Sequence, residues 1–156
     1  MSLYTSFYIF KQQITELNLG SYSISIQSDY NEVVKVNEAI HNFLLKDGVE
    51  EYISNAFDIC ITEAVNNVIK HAYQGEKNKP ITISVKKENN EVELQIIDEG
   101  TPRSHFEIPN LEFDPDDTEN LPESGMGVFI MNQLMDKIDY LTINGKNYFT
   151  MKKYLD

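Results

Sequence analysis

Positive charge is scarce in this sequence. The chain has 13 Lys and Arg residues against 25 Asp and Glu residues, which gives a formal net charge of −12 at pH 7. Proteins that bind nucleic acid through its phosphates need a basic surface, so this balance argues against a nucleic-acid partner. An anionic membrane surface would repel the chain for the same reason. We therefore expect binding neither to nucleic acid nor to a membrane.

Cysteine and long apolar runs are also nearly absent. Cys60 is the only cysteine, which excludes an intrachain disulfide framework. No apolar run approaches the roughly 18 residues that a transmembrane helix requires, and no basic segment leads into an apolar one at the N-terminus. These absences predict a cytoplasmic protein. The length of 156 residues suits a single domain.

Hydrophobic periodicity predicts an α+β fold. Strands are predicted over residues 6–14, 22–26, 81–87, 91–97, 138–143 and 147–153, and helices over residues 31–45, 50–72 (as one or two helices) and 125–135. The strands come in adjacent pairs, and Asn144 followed by Gly145 is a strong signal for a hairpin turn. This order predicts a two-layer α/β sandwich, with helices on one face of a mixed, mainly antiparallel sheet.

One long segment shows little periodicity. Residues 99–124 contain four of the five prolines, and residues 101–124 carry seven acidic residues against one basic residue, Arg103. Structureless connections longer than about 12–15 residues are uncommon in compact domains unless they are lids or binding loops. We therefore predict a lid at about residues 101–124, within a domain over residues 21–156 that follows an N-terminal extension over residues 1–20.

The first candidate site lies on the predicted helix over residues 50–72. Glu63 and Asn67 are one turn apart, so a carboxylate and an amide oxygen project side by side from its polar face. Such oxygens suit magnesium, because this ion takes one or two protein ligands and completes its shell with phosphate and water. The solvated face of an ordinary amphipathic helix would give the same pattern. Two asparagines in mid-helix, Asn66 and Asn67, favour a site because Asn is a poor helix former.

Two further motifs contain glycine. Asp98 and Gly100 stand at the end of a predicted strand, where a carboxylate can accept a hydrogen bond from an exocyclic amino group and a glycine lets a flat ring approach the backbone. Gly125 and Gly127 open the next helix, where free N–H groups and the helix dipole favour an anion. Alone, each motif also fits an ordinary turn or a flexible helix start.

The order of the three motifs is more specific than any one of them. A Glu-x-x-x-Asn helix, a strand ending in Asp-x-Gly, a long loop and a helix opened by Gly-x-Gly together resemble the ATPase superfamily of gyrase, heat-shock chaperones, histidine kinases and mismatch-repair proteins. Within it the chain resembles the anti-sigma-factor serine kinases of bacteria. The resemblance covers residues 22 to 153 and is carried by Glu63-Ala64-Val65-Asn66-Asn67-Val68-Ile69-Lys70-His71-Ala72-Tyr73 and by Gly125-Met126-Gly127-Val128-Phe129-Ile130-Met131.

The resemblance implies a role for each motif residue. Asn67 is expected to bind the magnesium ion that bridges the phosphates of ATP, and Glu63 to act as general base toward a partner's serine hydroxyl or toward water. Asp98 is expected to accept from the adenine amino group, with Gly100 close to the ring. The segment Gly125, Met126 and Gly127 is expected to contact phosphate through its backbone.

The same resemblance implies an ATP- and magnesium-dependent serine/threonine protein kinase that regulates bacterial transcription. Such a protein sequesters a sigma factor, phosphorylates an anti-anti-sigma factor and forms a homodimer. The alternative is a nucleotide-binding regulatory module with little or no kinase activity; a sensor histidine kinase fragment is disfavoured because no His-bearing dimerisation helix precedes the fold.

The lid departs from the family pattern in two ways. Thr101 and Pro102 follow Gly100 where many relatives carry a second glycine. Arg103 is the only cation between Ile97 and Met135, although phosphoryl transfer depends on positive charge near the transferred group. Either Arg103 or a partner's residue is therefore expected to supply that charge.

Overall fold

A computed structural model describes residues 20–104, 106, 108, 116 and 126–156 of the chain. Its strands are β1 (Ser21–Gln27), β2 (Pro80–Glu88), β3 (Glu91–Asp98), β4 (Lys137–Ile143) and β5 (Lys146–Tyr154), and its helices are α1 (Val33–Lys46), α2 (Glu51–Asn67) and α3 (Met126–Leu134). A 3₁₀ turn (Tyr30–Glu32) leads into α1, and a π-helical turn (Val68–Ala72) continues α2. The strand predicted over residues 6–14, Gly125 and most of the predicted lid lie outside the described residues.

The five strands form one sheet in the order β1-β2-β3-β5-β4. Each neighbouring pair is antiparallel. Both predicted hairpins are present, as β2–β3 and β4–β5. The described sheet is therefore antiparallel throughout. The sequence predicts a mixed sheet that is mainly antiparallel, and no parallel pair occurs among the described strands.

Alternation of apolar side chains places the core on one face of this sheet. Ile83 pairs with Ile96, and Ile96 pairs with Phe149, so inward positions of three neighbouring strands form a continuous apolar row. Both isoleucines are fully buried. Polar side chains such as those of Ser84 and Gln95 alternate with them, as expected for a sheet with one open face.

The helices supply the second layer through their apolar stripes. α1 buries Val36, Ile40 and Leu44 at helical spacing, and α2 buries Phe57 and Ile61 among others. Burial, with a smaller contribution from Glu63, raises the pKa of the Cys60 thiol to about 12. The two-layer α/β sandwich is confirmed. None of the helices in the described ranges is long and apolar enough to cross a membrane.

The helix that carries the first motif ends in a wider turn. The N–H of Tyr73 donates to the carbonyl of Val68 at 2.9 Å, five residues back, which defines the π turn. Behind it, the Tyr73 hydroxyl donates to the carbonyl of Pro80 and accepts from the N–H of Glu99 at 2.8 Å. One buried phenol thus joins the end of the helix to the start of β2 and to the residue after β3.

We expect Tyr73→Phe to lower the free energy of unfolding by about 1–2 kcal/mol, because the N–H of Glu99 loses its partner. Urea unfolding monitored by circular dichroism measures this. Tyr148→Phe is the matched control: its ring lies half-buried on the open face, and we expect a change within about 0.5 kcal/mol. Equal losses in the two variants would contradict the bridging role of the Tyr73 hydroxyl.

Candidate functional site

A cavity of about 260 Å³ lies between the helix layer and one end of the sheet. Its walls come from α2 and the π turn, from α3, from the end of β3, from the middle of β4 and β5, and from residues 101–104. Apolar side chains form much of the lining, among them Ala64, Val68, Val128, Met131 and Phe149. Asn67 and Asp98, two of the predicted site residues, also line it.

Asp98 reaches the cavity because it is the last inward residue of β3. Strand alternation places its side chain on the same face as Ile96, so the carboxylate enters the core layer. It is only 4% exposed. One oxygen, Oδ1, accepts the N–H of Gly100 and the side-chain amide of Asn147, each at 2.8 Å. Burial raises the pKa of Asp98, while these two hydrogen bonds oppose the rise.

Gly100 is pressed against the end of the π turn. A Cβ built on Gly100 would lie 2.5 Å from the carbonyl oxygen of Ala72. That same carbonyl accepts the N–H of Thr101 at 2.9 Å, which satisfies a group that a helix terminus leaves without an intrahelical partner. The first glycine motif therefore docks directly on the helix that carries Glu63 and Asn67, and only a residue without a side chain permits this approach.

Gly127 connects the second glycine motif to the same helix. A Cβ built on Gly127 would lie 2.7 Å from Oε2 of Glu63 and 3.5 Å from Nδ2 of Asn67. The structure thus brings Glu63, Asn67 and Gly127 together, as the sequence predicts. Met126 begins α3 and is half-buried. Gly125, predicted to share this role, lies outside the described residues.

An aromatic cluster adjoins the cavity, which two of its members, Tyr140 and Phe149, line. Phe106 stacks on Tyr140 with ring centroids 5.6 Å apart, and it makes a T-shaped contact with Phe149 at a centroid distance of 5.7 Å. The guanidinium carbon of Arg103 lies 5.9 Å from the Phe106 ring centroid, and the Arg103 backbone N–H donates to the Tyr140 hydroxyl at 2.9 Å. The described start of the predicted lid is therefore anchored to β4, and the only arginine of the chain lines the cavity.

Three residues at the candidate site were not predicted from the sequence: Tyr140, Asn147 and Phe149. The signal for Asn147 is present, since it is the one polar residue on the inward series Asn147, Phe149 and Met151 of β5. The two aromatic residues occupy inward positions that core packing explains equally well. Their proximity to Asp98 and Arg103 follows from the order of strands in the sheet.

The arrangement fits a purine nucleotide with magnesium. A buried acceptor with apolar surroundings suits a flat heterocycle that carries an amino group. For the metal, Glu63 offers a carboxylate and Asn67 an amide, and both side chains reach Gly127. Among the described residues, no group of three or more His, Cys, Asp or Glu side chains could hold a metal ion. A magnesium ion here would therefore depend on phosphate and water for its remaining ligands.

The sequence matches the histidine kinase-like ATPase domain over residues 26–153. The chain belongs to this family. The match includes all three motifs and ends near the end of β5. The family resemblance drawn from the motifs is therefore confirmed.

Curated relatives carry the name serine-protein kinase RsbW. The protein of Bacillus thuringiensis is 28% identical over 144 residues, which cover 85% of this chain and 82% of the relative. That of Listeria innocua is 29% identical over 102 residues, which cover 63% of this chain and 64% of the relative. In the Listeria comparison the aligned region is thus less than two thirds of the relative's length.

Solved structures share the fold. The RsbU and RsbW domains of a Mycobacterium tuberculosis protein align with a TM-score of 0.64 at 15% identity, over 88% of this chain and 33% of that one. A chain of the SiaB–SiaC complex from Pseudomonas aeruginosa aligns with a TM-score of 0.55 at 10% identity, over 98% of this chain and 96% of that one. At these identities the likeness extends to the fold alone.

The two motif glycines should respond differently to alanine. At Gly100 the new Cβ meets backbone atoms, so we expect Gly100→Ala to lower the free energy of unfolding by about 1–3 kcal/mol. At Gly127 it meets the mobile end of the Glu63 side chain. Because Gly within a helix costs about 0.5–1 kcal/mol relative to Ala, Gly127→Ala should be neutral or slightly stabilising. Urea unfolding of both variants checks this, and a larger loss in Gly127→Ala would contradict it.

Proposed function

We propose that the protein is an ATP- and magnesium-dependent serine/threonine protein kinase that also acts as an anti-sigma factor. The observation that carries the proposal is the single cavity that joins a buried carboxylate, Asp98, to the helix bearing Glu63 and Asn67. The family, and relatives named serine-protein kinase, support it.

The spacing along the helix suits an extended nucleoside triphosphate. Ala72 touches the Gly100 loop beside Asp98, and Glu63 lies nine residues earlier. At about 1.5 Å per residue, Ala72 and Glu63 are about 13 Å apart along the helix axis. Asp98 would accept the adenine amino group at one end, and the phosphates would extend along α2 toward Asn67 and Glu63.

The phosphate end would use backbone and amide groups. Gly127 lies against Glu63 and Asn67 and has no side chain, so its backbone would be able to approach a phosphate bound beside these two residues. Gly125 is proposed to assist. The side-chain oxygen of Asn67 would hold the metal. When bound, magnesium would neutralise charge on the phosphates during transfer.

Glu63 would serve as general base. Its carboxylate would accept the proton of a partner's serine hydroxyl while the serine oxygen attacks the terminal phosphorus, and the bond from that phosphorus to the bridging oxygen of ADP would break. Arg103 would supply positive charge from the lid side. It lines the same cavity as Asn67.

The proposed partners are proteins. An anti-anti-sigma factor would provide the serine, and a sigma factor would be sequestered by a homodimer of this chain in the cytoplasm. The complex of SiaB with SiaC is a precedent for a protein partner on this fold. The net charge of −12 would attract a basic partner surface at low ionic strength.

A second candidate is a nucleotide-binding regulatory module with little or no kinase activity. The scarcity of cations favours it: Arg103 is the only Lys or Arg residue between Ile97 and Met135, and its guanidinium lies over the ring of Phe106. In this case the partner would bind or leave according to the nucleotide present.

Labelled ATP separates the two candidates. The protein is incubated with γ-labelled ATP and an anti-anti-sigma protein of the same organism, and we expect label on a serine or threonine of the acceptor. Glu63→Gln should lower the rate at least about a hundredfold by loss of the general base. Glu51→Gln, an exposed change on the same helix, should leave it unaltered. No transfer by a wild-type protein that binds ATP would favour the regulatory module.

Asn67→Ala tests the proposed metal ligand. We expect wild-type protein to bind ATP more tightly with magnesium than with EDTA, and we expect the variant to lose about tenfold or more of that difference, since one metal ligand is gone. Calorimetry with and without magnesium measures both affinities. If the variant keeps the full magnesium dependence, another residue holds the ion.

A further inference from the structure

Asn147 is a buried polar side chain to which the proposed function gives no role. It is 1% exposed and pairs directly with Asp98 across β3 and β5. A buried amide must find hydrogen-bond partners to offset its desolvation. The hydrogen-bond partners of Asn147 therefore indicate its role.

The hydrogen bonds of Asn147 determine which way its side-chain amide points. Its Nδ2 donates to Oδ1 of Asp98 at 2.8 Å and to the carbonyl of Gly100 at 3.0 Å. Its Oδ1 accepts the hydroxyl of Thr142 at 2.8 Å. The amide thus joins the carboxylate of Asp98 to the carbonyl of the first glycine motif, while a hydroxyl from β4 holds its other end.

The orientation of the Asn147 amide constrains the carboxylate of Asp98. If the amide were reversed, its oxygen would face both Oδ1 of Asp98 and the Gly100 carbonyl, and an acceptor would meet an acceptor in both contacts. Because the N–H of Gly100 also donates to Oδ1, that oxygen is occupied twice. The second carboxylate oxygen of Asp98 is left as the one available to a ligand in the cavity.

We infer that Asn147 is a positioning residue, which holds Asp98 as an ionised acceptor and thereby selects a 6-amino purine over a 6-oxo purine. The inference rests on the proposed nucleotide site. A 6-amino group can donate to the free oxygen of Asp98, whereas a 6-oxo group would place an acceptor against an acceptor. Asn147 acts through Asp98 and needs no contact with the base.

The charge state of Asp98 gives this inference a separate signature. Burial raises its pKa, and the bond from Asn147 opposes that rise. Loss of the amide should therefore raise the pKa further, so that affinity for ATP declines at a higher pH as the carboxyl takes up its proton. The other titratable groups near the cavity are His71, Tyr73, Glu99 and Arg103, and they are unchanged in every variant compared below.

The experiment measures the dissociation constants of ATP and ITP, each with magnesium, by calorimetry between pH 5 and 8. ITP differs from ATP in carrying an oxo group at C6 and a hydrogen on N1 of the purine. In Asn147→Leu we expect the preference for ATP over ITP to fall about tenfold, as for loss of a hydrogen bond to a charged group. The pH at which ATP affinity is half lost should move upward.

Two more variants keep the test decisive. Thr142→Val changes an exposed side chain and removes the donor that orients the amide, so we expect a smaller loss of selectivity, about threefold. Gln95→Leu is the matched control. It removes an amide-to-hydroxyl bond of 3.1 Å to Thr150 between the same two strands, on the open face, and it should change neither selectivity nor the pH midpoint.

The outcomes separate this inference from the proposed function. A folded Asn147→Leu protein with wild-type selectivity and pH midpoint would overturn the inference and leave the nucleotide site standing. If that variant does not fold, unchanged selectivity in Thr142→Val overturns it instead. If wild-type protein binds neither ATP nor ITP, the proposed function fails and the inference fails with it.

Discussion

The burial of one carboxylate shapes this end of the molecule. Asp98 takes an inward position of β3 that hydrophobic packing would otherwise fill, and two donors hold one of its oxygens there. The loop after β3 folds back to provide the first donor at Gly100, and β5 provides the second at Asn147. The contact of Gly100 with Ala72 then sets the distance from the carboxylate to α2. These contacts fix the positions of Asp98 and Ala72, which both line the cavity.

Much of the fold could be predicted, since the five strands and three helices of the described residues follow from periodicity and turn residues, whereas the strand predicted over residues 6–14 lies outside them. The candidate site residues were predicted from three motifs in a specific order, and the structure brings three of these residues together, Glu63, Asn67 and Gly127. Asn147 could not be assigned a role, because its proximity to Asp98 depends on the pairing of β3 with β5, which no local pattern encodes. The π turn was also missed, since residues 68–72 continue the helical spacing of α2.

The acidic residues of the chain are concentrated next to the cavity in the sequence, in the segment that follows Gly100. Residues 101–124 hold seven acidic residues and only Arg103 as a cation, and Arg103 is anchored beside the cavity by Phe106 and Tyr140. In the proposed function, binding of the base would depend on one carboxylate and on apolar walls, and it would need no positive charge. Transfer of a phosphoryl group does need it. The same residues can therefore support nucleotide binding with or without efficient catalysis, and a partner that brings a cation would change the balance.

The central claim is that the cavity beside Asp98 binds the base of ATP, and amide chemical shifts test it most directly. Labelled protein is titrated with a non-hydrolysable ATP analogue and magnesium, and proton–nitrogen spectra are recorded. The account predicts saturable shifts at the backbone N–H groups of Gly100 and Gly127 and at the side-chain amide of Asn147, with little change at Asn37 in the groove between α1 and α2. Shifts that leave Gly100 and Asn147 unmoved, or no shifts at all, would contradict it.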